Sequence, residues 1–175
     1  MSELDEAWEV ALADAERRAR AAGRRDIADY VALRKQNDLL RRTAVDWLVM
    51  TITTLSGEAN RKGAGIQIEQ QDDYRFKVGT ATMVGRQVTL RNGVRALTLE
   101  AGWPRAPRDG FVRGGGLACA NLKHFGQPRA NAELLLLRSS KDAPQWTILE
   151  KTGTRAPLTE AKLRAHFAML LSENL

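Results

Sequence analysis

The stretch Gln87–Glu100, QVTLRNGVRALTLE, decides how the second half of this chain folds. Apolar Val88, Leu90, Leu97 and Leu99 alternate with other residues on either side of Asn92-Gly93. Alternation at period two marks a half-buried strand. Asn-Gly between two such runs predicts a hairpin, because a type I′ turn needs positive φ at both central residues. Pairing outward from a turn centred on Asn92-Gly93 sets Val88 across from Leu97 and Leu90 across from Arg95. Val88, Leu90, Leu97 and Leu99 then share one face, with Arg95 near the tip. Thr89, Arg91, Val94, Ala96 and Thr98 share the other.

Period two continues on both sides. Upstream, Ile66 and Ile68 form one apolar set and Tyr74, Phe76 and Val78 another. A three-residue loop, Gln71-Asp72-Asp73, would put both sets on one face, with Ile68 opposite Phe76 and Ile66 opposite Val78. Downstream, Leu117–Phe125 reads as a strand. Leu134–Leu137 and Trp146–Leu149 read as a final hairpin across the turn Lys141–Gln145, and the four-leucine run predicts a strand buried on both faces.

The N-terminal part switches to helical spacing. Leu4, Trp8, Ala11, Leu12, Ala15, Ala19 and Ala22 make a stripe over 4–22, with Asp5, Glu6 and Glu9 early, arginines late, and Gly23 as a C-terminal cap. A longer helix is expected from Ile27 to Leu55 or slightly beyond, with Asp26 as N-cap. Along it Leu33, Leu40 and Trp47 recur every seven residues, and Tyr30, Asn37, Ala44 and Thr51 recur at the complementary heptad offset. Leu48, Ile52 and Leu55 widen the apolar face. At 1.5 Å per residue this helix is roughly 45 Å long, more than a small sheet covers. Its surplus calls for the first helix folded back on it or for a second copy of the chain. Near the C-terminus Thr159 is an N-cap, Leu158 and Leu163 a hydrophobic staple, and Leu163, Phe167, Leu170 and Leu171 an apolar stripe. Asn60–Gly65 is turn chemistry.

Helices, then a run of strands, then a helix indicate the α+β class. The expected architecture is an N-terminal helical hairpin with one long helix, an antiparallel sheet of about six strands and a C-terminal helix packed on the sheet. The 175 residues suit one domain, with its helical part in 1–60, its sheet in 64–152 and its last helix in 158–173.

The formal charge is +6, from 27 Lys+Arg against 21 Asp+Glu. Residues 1–63 are neutral, with 11 of each sign; residues 64–175 hold 16 basic and 10 acidic side chains. The window from Arg86 to Arg129 carries eight basic residues against Glu100 and Asp109, an excess equal to that of the whole chain. Such a window is the footprint expected for an anionic partner. Arginine also outnumbers lysine 20 to 7 and alanine is abundant, a bias that coding composition alone could produce. Within the window, 102–116 (GWPRAPRDGFVRGGG) is a loop. Trp103 and Phe111 could stack on bases, while Arg105, Arg108 and Arg113 could meet phosphates, the combination that single-stranded nucleic acid binding uses. With Arg86, Arg91 and Arg95 of the hairpin they form the candidate anion-binding set. Alternatively, Trp103 tucks onto the sheet and the glycines serve a bend.

The function expected is therefore a non-catalytic module that holds a nucleic acid or other polyanion. A second expectation is an assembly or adaptor module whose interface is Tyr30, Leu33, Asn37, Leu40 and Trp47, pairing as a homodimer or with a helical partner. A third is a small-ligand binder or enzyme with a pocket of Trp103, Phe111 and His124 beneath the loop. No catalytic set is named. Cys119 and His124 are five apart, on opposite faces of one strand; Cys119 reads as a small buried hydrophobe and His166 as a half-exposed residue at the border of its helix stripe. One cysteine and two histidines cannot fill a zinc site unaided, and no metal or cofactor is expected. The acidic start lacks the basic and apolar regions of a secretory signal. The longest apolar stretch, Val45–Leu55, falls short of the roughly 20 residues that cross a bilayer. A cytoplasmic protein with no membrane partner is the expectation.

Overall fold

The computed structural model describes residues 3–138 and 143–172, with Leu4 and Asp5 described for backbone alone. The stripe position of Leu4, the first-turn role of Asp5, the turn at Lys141 and the last expected helical residue, Glu173, lie outside what is described. The chain divides into two compact units, Met1–Arg42 and Thr43–Leu175. The class is α+β, with three α-helices and a seven-stranded antiparallel sheet among the described residues.

In the first unit, α1 (Glu3–Ala21) and the opening turns of α2 (Arg25–Arg61) form a helical hairpin. Gly23 supplies the left-handed residue between them, at φ 73°, and the N–H of Arg24 reaches back to the Ala19 carbonyl at 2.8 Å. Polar contacts join the two helices. Trp8 Nε1 donates to Asp38 Oδ2 at 3.0 Å, Lys35 pairs with Glu16 and Arg42 with Glu9. The Arg34 guanidinium lies over the Trp8 ring, 5.4 Å from its centre. The expected N-cap at Asp26 is corrected: α2 begins at Arg25, Ala28 N–H bonds the Arg24 carbonyl, and Asp26 sits inside the first turn, where its charge meets the helix dipole.

The second unit is a meander, ordered β1 to β7 without crossovers. Its strands are β1 (Gln67–Val78), β2 (Ala81–Asn92), β3 (Arg95–Trp103), β4 (Ala118–His124), β5 (Ala132–Leu137), β6 (Gln145–Leu149) and β7 (Arg155–Pro157). One face carries Val88, Leu90, Leu97, Leu99, Ala101, Ala118, Ala120, Leu122, Leu134, Leu136 and Trp146. Val45, Leu48, Val49, Ile52 and Leu55 of α2 cover that face together with Leu163, Phe167 and Leu170 of α3 (Glu160–Leu171). Thr159 caps α3, accepting the Lys162 N–H at 3.3 Å. The opposite face buries a smaller cluster of Phe76, Ala81, Met83, Cys119 and Leu135. The four-leucine run is buried on both faces, Leu134 and Leu136 on one and Leu135 on the other.

Three local expectations are corrected. Residues 71–73 are not a turn: β1 runs through them with a bulge between Gln71 and Tyr74, and Asp73 takes φ 53°. A bulge inserts extra residues and re-aims the strand, so both apolar sets lie on one long strand and the turn comes at Gly79-Thr80. The Asn-Gly hairpin exists, but its register is shifted by two. Asn92 pairs with Arg95, Leu90 with Leu97 and Val88 with Leu99, and only Gly93 has positive φ. Gly93 and Val94 are therefore the central residues, the arrangement of a II′ turn with Gly first. A shift of two preserves the faces, so the predicted apolar set is the buried one. Finally, β7 is a strand that the sequence reading did not include.

Candidate functional site

The loop between β3 and β4 lies across the outer, smaller cluster and is built onto it. Its short 3₁₀ turn, Pro107–Asp109, is closed by Asp109, whose carboxylate accepts the Ala106 N–H at 3.2 Å. Gly110, at φ 102°, rests on Ala81: a Cβ there would come within 2.7 Å of the Ala81 Cβ. Val112 packs into the outer cluster. Gly116 lies so close to Leu135 that a side chain would overlap it, and Leu117 N–H bonds the Leu136 carbonyl at 2.8 Å.

This anchoring determines what the loop presents. With Val112 inward, its neighbours Phe111 and Arg113 are exposed, Phe111 at 78%. The Arg113 guanidinium lies over the β1–β2 turn, 3.1 Å from where a Cβ of Gly79 would stand. Arg155 of β7 reaches the other side of the loop, 3.4 Å from the same construction at Gly114. Arg108 is exposed on the 3₁₀ turn. Among the described residues Arg108, Arg113 and Arg155 have no acidic partner. Arg105 is half-buried and has a partner of its own.

The rest of the sequence-predicted set is placed elsewhere. Trp103 is half-buried against the helix-covered core, so its ring is not offered to a ligand. Arg86 bonds Asp72 at 2.8 Å, Asp46 at 3.1 Å and Gln70 at 3.1 Å. Arg91 pairs with Glu69 at 3.3 Å. Arg95 caps the end of α3, donating to the Met169 carbonyl at 2.9 Å and to Ser172 Oγ at 2.5 Å. Lys123 pairs with Glu100 at 2.9 Å. The hairpin arginines are thus engaged inside the molecule, whereas Arg108 and Arg113 of the loop and Arg155 of β7 have no acidic partner among the described residues. Arg155 was missed because a three-residue edge strand gives too short an alternation to read.

The interface set lies along α2. Tyr30, Leu33 and Trp47 are exposed, and Asn37 and Leu40 are half-buried. The proposed pocket of Trp103, Phe111 and His124 does not form, since Phe111 faces solvent and His124 is buried on the helix side against His166. His166 is not a half-exposed border residue. It is buried, and its Nδ1 lies 2.8 Å from His124 Nε2. Cys119 belongs to the opposite face, and its thiol is pushed up to about 12 by burial, then by Glu100 and Glu133, so it is protonated at neutral pH and is no nucleophile. A buried carboxylate that composition did not single out, Glu100, sits beside it, accepting from Tyr74 Oη at 3.2 Å. Among the described residues no group of three or more His, Cys, Asp or Glu side chains could hold a metal ion, and no helix is long and apolar enough to cross a membrane. A surface groove of about 520 Å³ does lie between the end of α2 and α3, floored by Leu55, Ala59, Phe167 and Leu171, with Glu58 and Arg164 paired at its rim.

No family model matches the chain, and no curated protein or solved structure matches it.

Proposed function

We propose that this chain is a non-catalytic binding module that holds a single-stranded nucleic acid or similar polyanion on the loop 104–116 and the adjoining edge of β7. The observation that carries this reading is the sorting of the basic residues. Arg86, Arg91, Arg95 and Lys123 have intramolecular partners, whereas Arg108 and Arg113 lie on the same sheet-anchored loop as the exposed Phe111, and Arg155 reaches that loop at Gly114. Phosphates favour unpaired guanidinium groups, and an exposed ring stacks on any base regardless of sequence. A loop already anchored by Val112 and Gly116 loses less conformational freedom on binding than a mobile one. The proposed ligand is therefore read by charge and stacking rather than by base identity. A cytoplasmic setting accords with a single buried thiol.

The test is fluorescence anisotropy with a labelled single-stranded oligonucleotide across a salt series. Affinity should fall as salt rises, with log K changing by about −0.7 per phosphate contact against log salt. Arg108→Ala, Arg113→Ala and Arg155→Ala should each flatten that slope. Phe111→Ala should lower affinity by about 1–3 kcal/mol at unchanged slope. Arg91→Ala, which loses only a surface pair, should change little. Absence of binding at low salt, or binding indifferent to salt, would overturn the reading.

A further inference from the structure

Two hairpin tips, at the end of the sheet away from the loop 104–116, carry apolar side chains that the fold does not use. Gly93 and Val94 turn β2 into β3, and Val94 is 91% exposed. Phe125 follows β4 and is 76% exposed. Its N–H bonds the Ala96 carbonyl at 2.9 Å, so it stands beside β3 two residues from Val94. Neither side chain packs into the core on either face of the sheet. Turn chemistry does not ask for Val94 either: small and polar residues dominate turns, and Gly93 already supplies the positive φ.

The same end gathers cations. Asn92 Nδ2 donates to the Ala64 carbonyl at 2.8 Å, which ties the end of α2, with Arg61 and Lys62, to the β2–β3 tip. After Phe125 the chain is closed by the Gln127 N–H on the His124 carbonyl at 3.0 Å and by Asn131 Oδ1 on the His124 N–H at 2.7 Å. That closure holds the 3₁₀ turn Pro128–Ala130, with Arg129, next to Phe125. Arg61, Lys62 and Arg129 are exposed, and none has an acidic partner among the described residues. Glu58 and Glu69 are paired with Arg164 and Arg91, which leaves Glu133 of β5 as an unpaired carboxylate near them. Three cations against one carboxylate leave this end positive.

We infer that this end of the sheet docks on an anionic lipid surface, with Val94 and Phe125 entering the headgroup layer and Arg61, Lys62 and Arg129 meeting the lipid anions. Exposed apolar groups rimmed by polar ones mark a protein or a membrane partner. Size favours the membrane. Two side chains fall far short of the roughly 800 Å² per partner that a stable protein interface buries, whereas a weak apolar anchor joined to a basic patch is a sufficient pair of signals for a bilayer. Val94 is aliphatic and does not stack on a base as Phe111 can, which favours lipid over nucleic acid here. Surface binding needs no spanning segment, and the expectation of no membrane partner rests on the lack of one. The inference does not depend on nucleic acid binding at the loop.

Co-sedimentation of the full chain with vesicles tests it. Phosphatidylcholine vesicles that contain phosphatidylserine should bind the chain at low salt, and pure phosphatidylcholine vesicles should bind it much more weakly. Added salt should release it, because the attraction acts within a Debye length. Lys62→Ala and Arg129→Ala should each weaken binding about fivefold. Val94→Asn and Phe125→Ser should weaken it at unchanged salt dependence and unchanged melting temperature, since both side chains are exposed. Phe125→Trp should keep binding, and its emission, taken as the difference from the parent, should move to the blue on the anionic vesicles. No binding to those vesicles at low salt overturns the inference. So does binding that survives both tip substitutions, or binding that is lost in an Arg108→Ala, Arg113→Ala chain while the tip variants keep it, which would assign the vesicles to the loop.

Discussion

His124 Nε2 and His166 Nδ1 stand 2.8 Å apart, with their rings stacked at 18° and both residues buried between β4 and α3. One ring donates its N–H and the other accepts, so the bond is lost when both rings are protonated, and even one charge is disfavoured by the burial of the pair. Burial holds His124 below the usual histidine range and lowers His166 to about 4, with the neighbouring His124 adding to the latter.

Stability should therefore depend on pH in the sense opposite to that of a salt-bridged histidine. The unfolded chain takes up a proton on each ring near 6.5, while the folded chain resists doing so until pH about 4 for His166. More protons on the unfolded state means that stability rises with pH. The contribution is full above pH about 6.5, falls through the window between about 6.5 and about 4, and is lost below it. For His166 the difference corresponds to about 3 kcal/mol. Denaturant titrations at pH 5 and pH 7 should show the loss. The double variant His124→Leu, His166→Leu, which removes both polar partners together, should flatten it; an unchanged slope in that variant would disprove the assignment.

Gly85 and Gly102 face each other across β2 and β3. A Cβ at Gly85 would overlap the Ala101 carbonyl, and one at Gly102 would come within 2.5 Å of the Val84 carbonyl. Backbone, not a flexible side chain, is the obstacle in both cases. Gly85→Ala and Gly102→Ala should each destabilise by about 3 kcal/mol or more, a size that points to strain and overpacking rather than to lost contacts. Melting temperatures of the two variants measure this, and values near that of the parent would show that the strands can separate locally.

The apolar pattern was legible wherever period and burial coincide. Val88, Leu90, Leu97 and Leu99 were placed on their true face even though their register was set two residues off, because a slip of two leaves the pleat unchanged. The Thr159 cap was legible because its chemistry is local. What failed was information held by partners distant in sequence. The bulge at Gln71/Tyr74 is stabilised across the sheet by Arg86 bonding Asp72, and no local rule distinguishes Asp72-Asp73 in a bulge from the same pair in a turn. For the same reason charge density marked the basic window, but not which arginines already had Asp46, Asp72, Glu69 or the end of α3 as partners. The stacking residue Phe111 was legible as a loop aromatic, whereas Trp103 needed the length of β3 to be known.

Asn60 clasps the start of the sheet to the end of α2. Its Nδ2 donates to the Ile66 carbonyl at 2.9 Å, and its Oδ1 accepts the Ile66 N–H at 2.6 Å. The side chain thereby mimics a neighbouring strand at the point where the chain turns through Gly63 and Gly65. Asn60→Ala leaves both backbone groups of a buried residue unpaired and should cost about 1–3 kcal/mol. Asn60→Asp, which keeps only the acceptor, should cost part of that. Chemical denaturation of the two variants gives the comparison.

Tyr74, Glu100 and Lys123 form a charged cluster on the outer face. Tyr74 Oη donates to Glu100 Oε1 at 3.2 Å, and Lys123 Nζ stands 2.9 Å from Oε2 without making a well-directed hydrogen bond to it. Burial raises the Tyr74 phenol above its ordinary range, and the Glu100 carboxylate raises it further, while Lys123 acts in the opposite direction. The two neighbours can therefore be separated by sign. Glu100→Gln removes a negative charge, so the Tyr74 phenol and the Cys119 thiol should both ionise at lower pH than in the parent, though still above their ordinary values because burial is the larger cause. Lys123→Ala removes a positive charge and should move the phenol upward. Phenolate absorbance during a pH titration in a Tyr30→Phe background reads Tyr74, and the pH dependence of alkylation reads Cys119. A shift of the same sign in both variants would mean that altered packing, and not charge, governs the cluster.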